Sequence, residues 1–406
     1  MTVAIIGCGG TGAAIASQLA KYKNIGSMVL ADSNLNTAEN VSSELRKLND
    51  NIDCKAYQVN ADDESNIGRI LTEVKVVINA ASPICNIPIM NACIKSKSNY
   101  IDLASDPFIY PGIIAKTAID YQLELHDSFV KNDLIAVTNA GASPGFSDLL
   151  CKHAIQSNML DSIQYVKIYF TEIIESDRLV SSWSPYILML ESILPATIFK
   201  HNKIVELDTD QRWKKVEFPS PFGKIEITLF NGHPELRTIP EFIDIPVEHI
   251  EVGGSTLLNN MRIDDIIIES LRRKVKENMI FNGDIFEILA TSFESPEKFI
   301  DYFNRGIIKK EVLCSQIEIK GKKKDKSILY HASTLLDFEK VNKKNPLATA
   351  SSYMVSIVPT IISKNIIEGK IMEKGVIAPA ALSIASDIIE ESEKYDIGFR
   401  ESVKFN

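Results

Sequence analysis

Residues 3–12 read Val-Ala-Ile-Ile-Gly-Cys-Gly-Gly-Thr-Gly, an apolar run that ends in a G-x-G-x-x-G spacing at Gly7, Gly9 and Gly12. Each glycine answers a separate demand. Gly7 makes the tight turn out of a strand, Gly9 lets a diphosphate approach bare backbone, and Gly12 lets the next helix pack on the sheet. The phosphates then meet free N–H groups at a helix start, where the dipole also favours negative charge. Gly10 and Thr11 lie inside this loop and belong to the same expected cofactor site. A second apolar run ends in Asp32, whose carboxylate can accept both hydroxyls of an adenosine ribose and would repel a 2′-phosphate. Ser33 and Asn34 follow it, with no arginine, so NAD is expected over NADP, with NADP as the alternative. A Rossmann-like fold that binds no dinucleotide is the competing reading.

The surrounding pattern supports the motif. Strands are expected at 3–6, 28–31, 54–59, 74–79, 100–102 and 135–139, with helices at 13–21, 35–48, 87–97 and 113–130. Several strands are unbroken apolar runs, which suits burial on both faces, and the alternation predicts a doubly wound parallel sheet. Later the period changes. Residues 165–171 and 224–230 alternate strictly, and 312–319 with 327–338 read as a hairpin joined by the lysine-rich segment 320–326. That segment reads as a solvated hairpin tip, with an electrostatic contact as the alternative. Helices are expected at about 185–199, 264–278 and 284–305, then at 348–367 and 379–394. The fold class is therefore α/β: a Rossmann domain (1–150 and 345–406), an inserted α+β substrate and dimerisation domain (151–344), and C-terminal helices returning to the first domain.

Composition narrows the function. The chain has 406 residues, 45 % apolar and 24 % charged, enough for more than one core. A net charge of −9 argues against a nucleic-acid partner. No apolar run is long enough to span a membrane. The six cysteines show no CxxC or zinc spacing, so no metal is expected and reduced thiols in the cytoplasm are the natural reading. Cys8 reads as a small filler more than a nucleophile.

Other positions carry paired readings. Asp62 reaches the adenine amino group or caps a helix. Asn79, Ala80, Ser82 and Pro83 sit near the nicotinamide ribose or form a plain strand-to-helix turn. Asp102 ends a strand at the crevice and is the first candidate for a general base or ammonium ligand; a capping aspartate is the alternative. Asp106 is next, although Asp106-Pro107 is also a turn signal. His233 and Glu235 bind substrate and shuttle a proton, or are satisfied structurally in a turn and helix start. Ser184 reads as a helix cap with Trp183 in the core, a reading that the resemblance below opposes.

Five segments in this order resemble the saccharopine dehydrogenase-like family: 77–106, 139–150 (NAGASPGFSDLL), 181–207, 232–240 (GHPELRTIP) and 366–382. The resemblance implies NAD(P)-linked oxidation of a C–N bond in an amino-acid substrate, saccharopine- or lysine-like, through an imine, or the reverse reaction. It also covers reductive condensation of a diamine with an aldehyde, as in carboxynorspermidine formation, and it implies a homodimer. It places 181–207 over the substrate. Gly141, Pro144 and Gly145 are expected to shape the crevice floor. Two departures stand out: no basic residue follows Asp32, and Ala380 occupies a position that is often glutamate in the family. The latter leaves room for a non-catalytic dinucleotide-binding regulatory protein.

Overall fold

In the computed structural model, the structure describes residues 1–105, 118–185, 187–188, 191, 194–276, 292–294 and 296–405, with the side chains of 270–276 and 297 left aside. The chain divides into two compact units. The first comprises Met1–Met159, Arg237–Asp244 and Tyr353–Asp396; the second comprises Leu160–Leu236, Ile245–Ser352 and Ile397–Asn406.

The first unit holds a seven-stranded sheet in the order Gly375–Ile377, Ile135–Val137, Asn99–Asp102, Val74–Asn79, Thr2–Ile6, Ser27–Asp32, Asp53–Gln58, every pair parallel. This is the doubly wound order, and the strand order reverses between Thr2–Ile6 and Val74–Asn79, where such sheets bind ligands. The unbroken apolar strands are buried as expected: Val3, Ala4 and Ile5 are fully enclosed. One core layer packs Ala4, Ala31 and Val77 against Ile89, Met90 and Cys93 of helix Asn86–Ser96. Helix Leu35–Leu48 has the expected bounds. The helix expected over 113–130 is two pieces where described, Ala118–Leu123 and His126–Lys131.

The second unit holds a mixed sheet that has ten strands among the described residues. Its main path is Trp213–Phe218, Gly223–Leu229, His249–Leu258, Ser162–Ser176, Ile308–Lys323, Lys326–Asp337, Arg400–Phe405. Ser162–Ser176 runs parallel to His249–Leu258 and antiparallel to Ile308–Lys323. The lysine-rich segment is the tip of the expected hairpin, with Lys323 paired to Lys326. Three expectations fail here. Residues 197–200 form a strand that hairpins back through Lys203–Glu206, so the helix does not run to 199. Its turn uses His201 and Asn202, both at positive φ. Within 284–305 the described helix is only Phe299–Asn304. The end of the chain joins this unit, because Arg400–Phe405 pairs with the strand Lys326–Asp337.

No helix among the described residues is long and apolar enough to cross a membrane. All six cysteines are free and buried.

Candidate active site

In the first unit the glycine loop has the geometry its sequence demands. Gly7 sits at φ +90°, and a Cβ there would strike the backbone of Ala80 and Ala81. A Cβ on Gly12 would collide with the carbonyl of Gly7, so this glycine sets the approach of helix Gly10–Leu19. Above Gly9 and Gly10 nothing lies within 4 Å. Gly9 is the N-cap residue, and Gly10, Thr11 and Gly12 form the first turn, so open space meets the positive end of the helix. The residues present therefore fit a diphosphate. Asp32 is tied into the same loop: Cys8 N donates to its Oδ2 at 2.8 Å and Asn34 N to its Oδ1 at 2.9 Å. Each oxygen keeps a lone pair for a ribose hydroxyl. Ser33 offers its carbonyl to Gln58 Nε2 at 2.9 Å. The Cys8 thiol donates to Ala31 O, and burial pushes it up to about 12, as befits a filler.

The strand ends nearby differ in character. Asn79 is 2 % exposed and spends its amide internally, donating to Asn86 Oδ1 at 2.7 Å and accepting from Ala81 N at 3.0 Å. It thereby shapes the 79–83 turn, in which Ala80 and Pro83 are half-buried and Ser82 is exposed. Asp62 is exposed and accepts from the Cys85 thiol, while Asp63 caps the short helix Glu64–Gly68.

Asp102 is 1 % exposed. Asn139 N donates to its Oδ1 at 2.7 Å and Gln122 Nε2 to its Oδ2 at 2.6 Å. Burial nevertheless raises its carboxyl to about 7, these hydrogen bonds only partly opposing the rise. Asn139 also accepts from Ser105 N at 2.6 Å, so Asp102 anchors the chain as it enters the loop 140–145. In that loop Gly145 takes φ +121°, where a Cβ would strike Gly141, and a Cβ on Gly141 would press on Leu103 O. Pro144 follows a cis bond. Asp148, which the sequence reading passed over, closes the loop: its Oδ2 accepts from Gly145 N at 3.0 Å and its Oδ1 from Thr238 at 2.6 Å. An acid three residues into a helix that starts after glycine was the available signal. Asp106 lies outside the described residues.

The second unit carries a small depression, with a cavity volume of about 20 Å³, lined by Phe170, Trp183, Glu191, Phe230, Ser255 and Thr256, among others. Its floor needs glycine, because a Cβ on Gly254 would press into the Phe170 ring. The Phe170 and Phe230 rings lie 5.3 Å apart. Glu191 is 8 % exposed, and among the described residues its Oε2 finds no hydrogen-bond partner; Ser255 Oγ, which also lines the depression, finds none among them either. Burial raises the Glu191 carboxyl to about 7, and the neighbourhood of Glu235 adds to the rise while His233 opposes it. His233 Nδ1 contacts Glu235 Oε2, and its ring stacks on Phe230 at 5.8 Å. The expected pair thus stands together, with Glu191, missed earlier, as its electrostatic neighbour. Ser184 accepts from Ile187 N at 3.4 Å, as a helix cap does, while Trp183 is half-buried and lines the depression. Among the described residues the charged groups lining it are both carboxylates, Glu191 and Asp264.

Comparison with known proteins agrees with both units. Residues 3–137 match the family model described as the saccharopine dehydrogenase NADP binding domain, and residues 141–397 match the saccharopine dehydrogenase C-terminal domain. Carboxynorspermidine synthase from Vibrio cholerae serotype O1 is 27 % identical over 261 residues, which cover 62 % of this chain and 62 % of that protein. Among solved structures, saccharopine dehydrogenase (L-Glu forming) from Saccharomyces cerevisiae superposes with a TM-score of 0.68 at 16 % identity, over 99 % of each chain. Homospermidine synthase from Legionella pneumophila in complex with NAD also reaches 0.68, at 15 % identity over 100 % of this chain and 91 % of that one. At these identities the structural matches speak to the fold.

Proposed function

This chain belongs to the saccharopine dehydrogenase family, and on that premise we propose that it is an NAD(P)-dependent oxidoreductase that forms or breaks a C–N bond of a small amine. The observation that carries the reading is the buried Glu191 carboxyl, with an oxygen that no described residue meets, in an aromatic-lined depression. An ammonium group satisfies that oxygen, and Trp183, Phe170 and Phe230 offer ring faces to the same cation. The relative that makes carboxynorspermidine supports a diamine as the substrate and reductive coupling with an aldehyde as the direction. A saccharopine-like substrate, with several carboxylates, fits less well, because the charged lining groups described are themselves carboxylates.

The reaction balances as amine plus aldehyde giving imine and water, then imine plus hydride and a proton giving a secondary amine. The reduced nicotinamide supplies the hydride when bound. Gly7, Gly9, Gly10, Thr11 and Gly12 would hold its diphosphate and Asp32 its adenosine ribose, which favours NAD(H). Asn79, Ala80, Ser82 and Pro83 are assigned to the nicotinamide side, Ser33 and Asp62 to the adenosine side. Gly141, Pro144 and Gly145 shape the backbone after Asn139, with Asp102 as the group that positions them. His233, oriented by Glu235, is assigned the proton that the amine nitrogen gives up or takes. Trp183 and Glu191 hold the amine, and Ser184, which accepts from Ile187 N, fixes the backbone beside Trp183. The family resemblance also brings a homodimer and a cytoplasmic location into this reading; sedimentation velocity tests the first.

The test mixes the protein with NADH or NADPH and a panel of amine–carbonyl pairs while absorbance of the reduced nicotinamide is followed. Consumption of cofactor with a diamine and an aldehyde is expected. Tight cofactor binding with no turnover across the panel would instead favour a dinucleotide-binding regulatory protein.

A further inference from the structure

A second pair of acids stands next to the amine pocket. Glu172 and Glu311 lie on neighbouring antiparallel strands, Glu172 opposite Leu313 and Glu311 opposite Ile174, which puts both on one face of the sheet. They are 2 % and 1 % exposed, and their carboxyl groups come within reach of each other. Two carboxylates have no hydrogen to share, so this contact needs a proton on one of them.

Each of the four carboxyl oxygens also accepts from one donor. Glu172 Oε1 accepts from Ser182 Oγ at 2.6 Å and its Oε2 from Thr256 Oγ1 at 3.4 Å. Glu311 accepts from Ala350 N at 3.0 Å and Ser351 N at 3.2 Å, the first amides of helix Ala350–Ile367. Hydroxyl donors and a helix start stabilise one negative charge here. A second charge, buried beside the first, is strongly opposed by repulsion and desolvation. Among the described residues no lysine, arginine or histidine forms an ion pair with either acid. Thr256 lines the pocket, and Ser182 directly precedes Trp183, which lines it too.

We propose that Glu172 and Glu311 are positioning residues that share one proton and keep a single negative charge one hydroxyl behind the pocket wall. There it fixes the Ser182–Trp183 segment and adds to Glu191 in attracting an ammonium group. The second half of this inference rests on the amine-binding reading; the shared proton does not.

Infrared difference spectroscopy and kinetics test the two halves separately. At about pH 9, where groups that titrate near 7 are ionised, the wild type keeps a protonated-carboxyl stretch, and Glu172→Gln and Glu311→Gln each abolish it. A band that survives in both variants overturns the shared proton. Each single variant retains one anion, so its amine KM stays within about threefold of wild type, whereas the neutral double variant raises it about tenfold with kcat and cofactor affinity unchanged. A double variant with the wild-type KM overturns the role of the charge. If Glu191→Gln leaves the amine KM unmoved while the band behaves as described, the pocket reading fails and the shared proton stands. Should the double glutamine variant not fold, the double leucine variant of the same two positions supplies the neutral comparison, with the same rise in KM expected.

Discussion

The amide of Cys8 donates to the carboxylate of Asp32 at 2.8 Å, so the loop that would cradle a diphosphate and the acid that would grip a ribose are one hydrogen-bonded unit. Replacing the acid therefore disturbs both. Asp32→Ser is expected to weaken NADH binding about ten- to a hundredfold, the range for hydrogen bonds to a charged group, and to weaken NADPH less. Isothermal calorimetry with the two cofactors measures the ratio. An unchanged NADH affinity would remove Asp32 from the site.

Gly9 and Gly12 should respond to alanine in opposite ways. Nothing lies within 4 Å of a Cβ on Gly9, so Gly9→Ala keeps the melting temperature and loses about tenfold in cofactor affinity, its methyl standing where the diphosphate belongs. At Gly12 the new methyl meets the Gly7 carbonyl, and stability drops by roughly 1–3 kcal/mol, the usual cost of overpacking. Thermal melts with and without NADH separate the two.

Much of this was legible in the chain. The parallel strands announced themselves as short apolar runs because burial on both faces leaves no polar positions to blur them. The second unit was harder. His249–Leu258 was not among the expected strands; its Gly253 and Gly254 interrupt the apolar pattern, and both are there because a neighbouring strand or ring comes too close for a side chain. The His201–Asn202 turn lacks glycine and gives no turn signal, so the expected helix ran to 199, into the first strand of the hairpin that this turn closes. Glu191 was passed over inside the apolar stretch 187–199, although a lone acid on such a stretch is itself a signal that something must meet it.

Glu191 gives a pH signature. Its carboxyl, raised to about 7 by burial, must ionise to attract an ammonium group. Amine affinity should therefore improve as pH rises through about 7. Glu191→Gln should remove that dependence and raise the amine KM about ten- to a hundredfold, with the cofactor KM unchanged. Initial rates against amine concentration between about pH 6 and pH 8 check this. A wild-type profile in the variant would assign the dependence elsewhere.

Asp102 gives a signature in stability. Its ordinary value is 3.8 and its buried value about 7, so between these limits the folded state holds the proton that the unfolded state has released. Its contribution to stability is fully present below about 4 and lost as pH rises towards about 7, a change on the order of a few kcal/mol. Asp102→Asn is expected to flatten this slope. Calorimetric melting of both proteins across that window gives the difference directly; parallel curves would mean that Asp102 does not titrate there.

The division of the chain bears on how it is made. The parallel sheet that begins with the first strand takes its last member from Gly375–Ile377, and the mixed sheet takes an edge from Arg400–Phe405. A ribosome delivering the chain from its amino end releases each of these strands long after the strands it joins, so neither sheet is complete when its first strands emerge. The nascent dinucleotide half waits, with an open edge at Ile135–Val137, for the strand Gly375–Ile377, and a premature stop ahead of that strand leaves two unfinished sheets rather than one intact half.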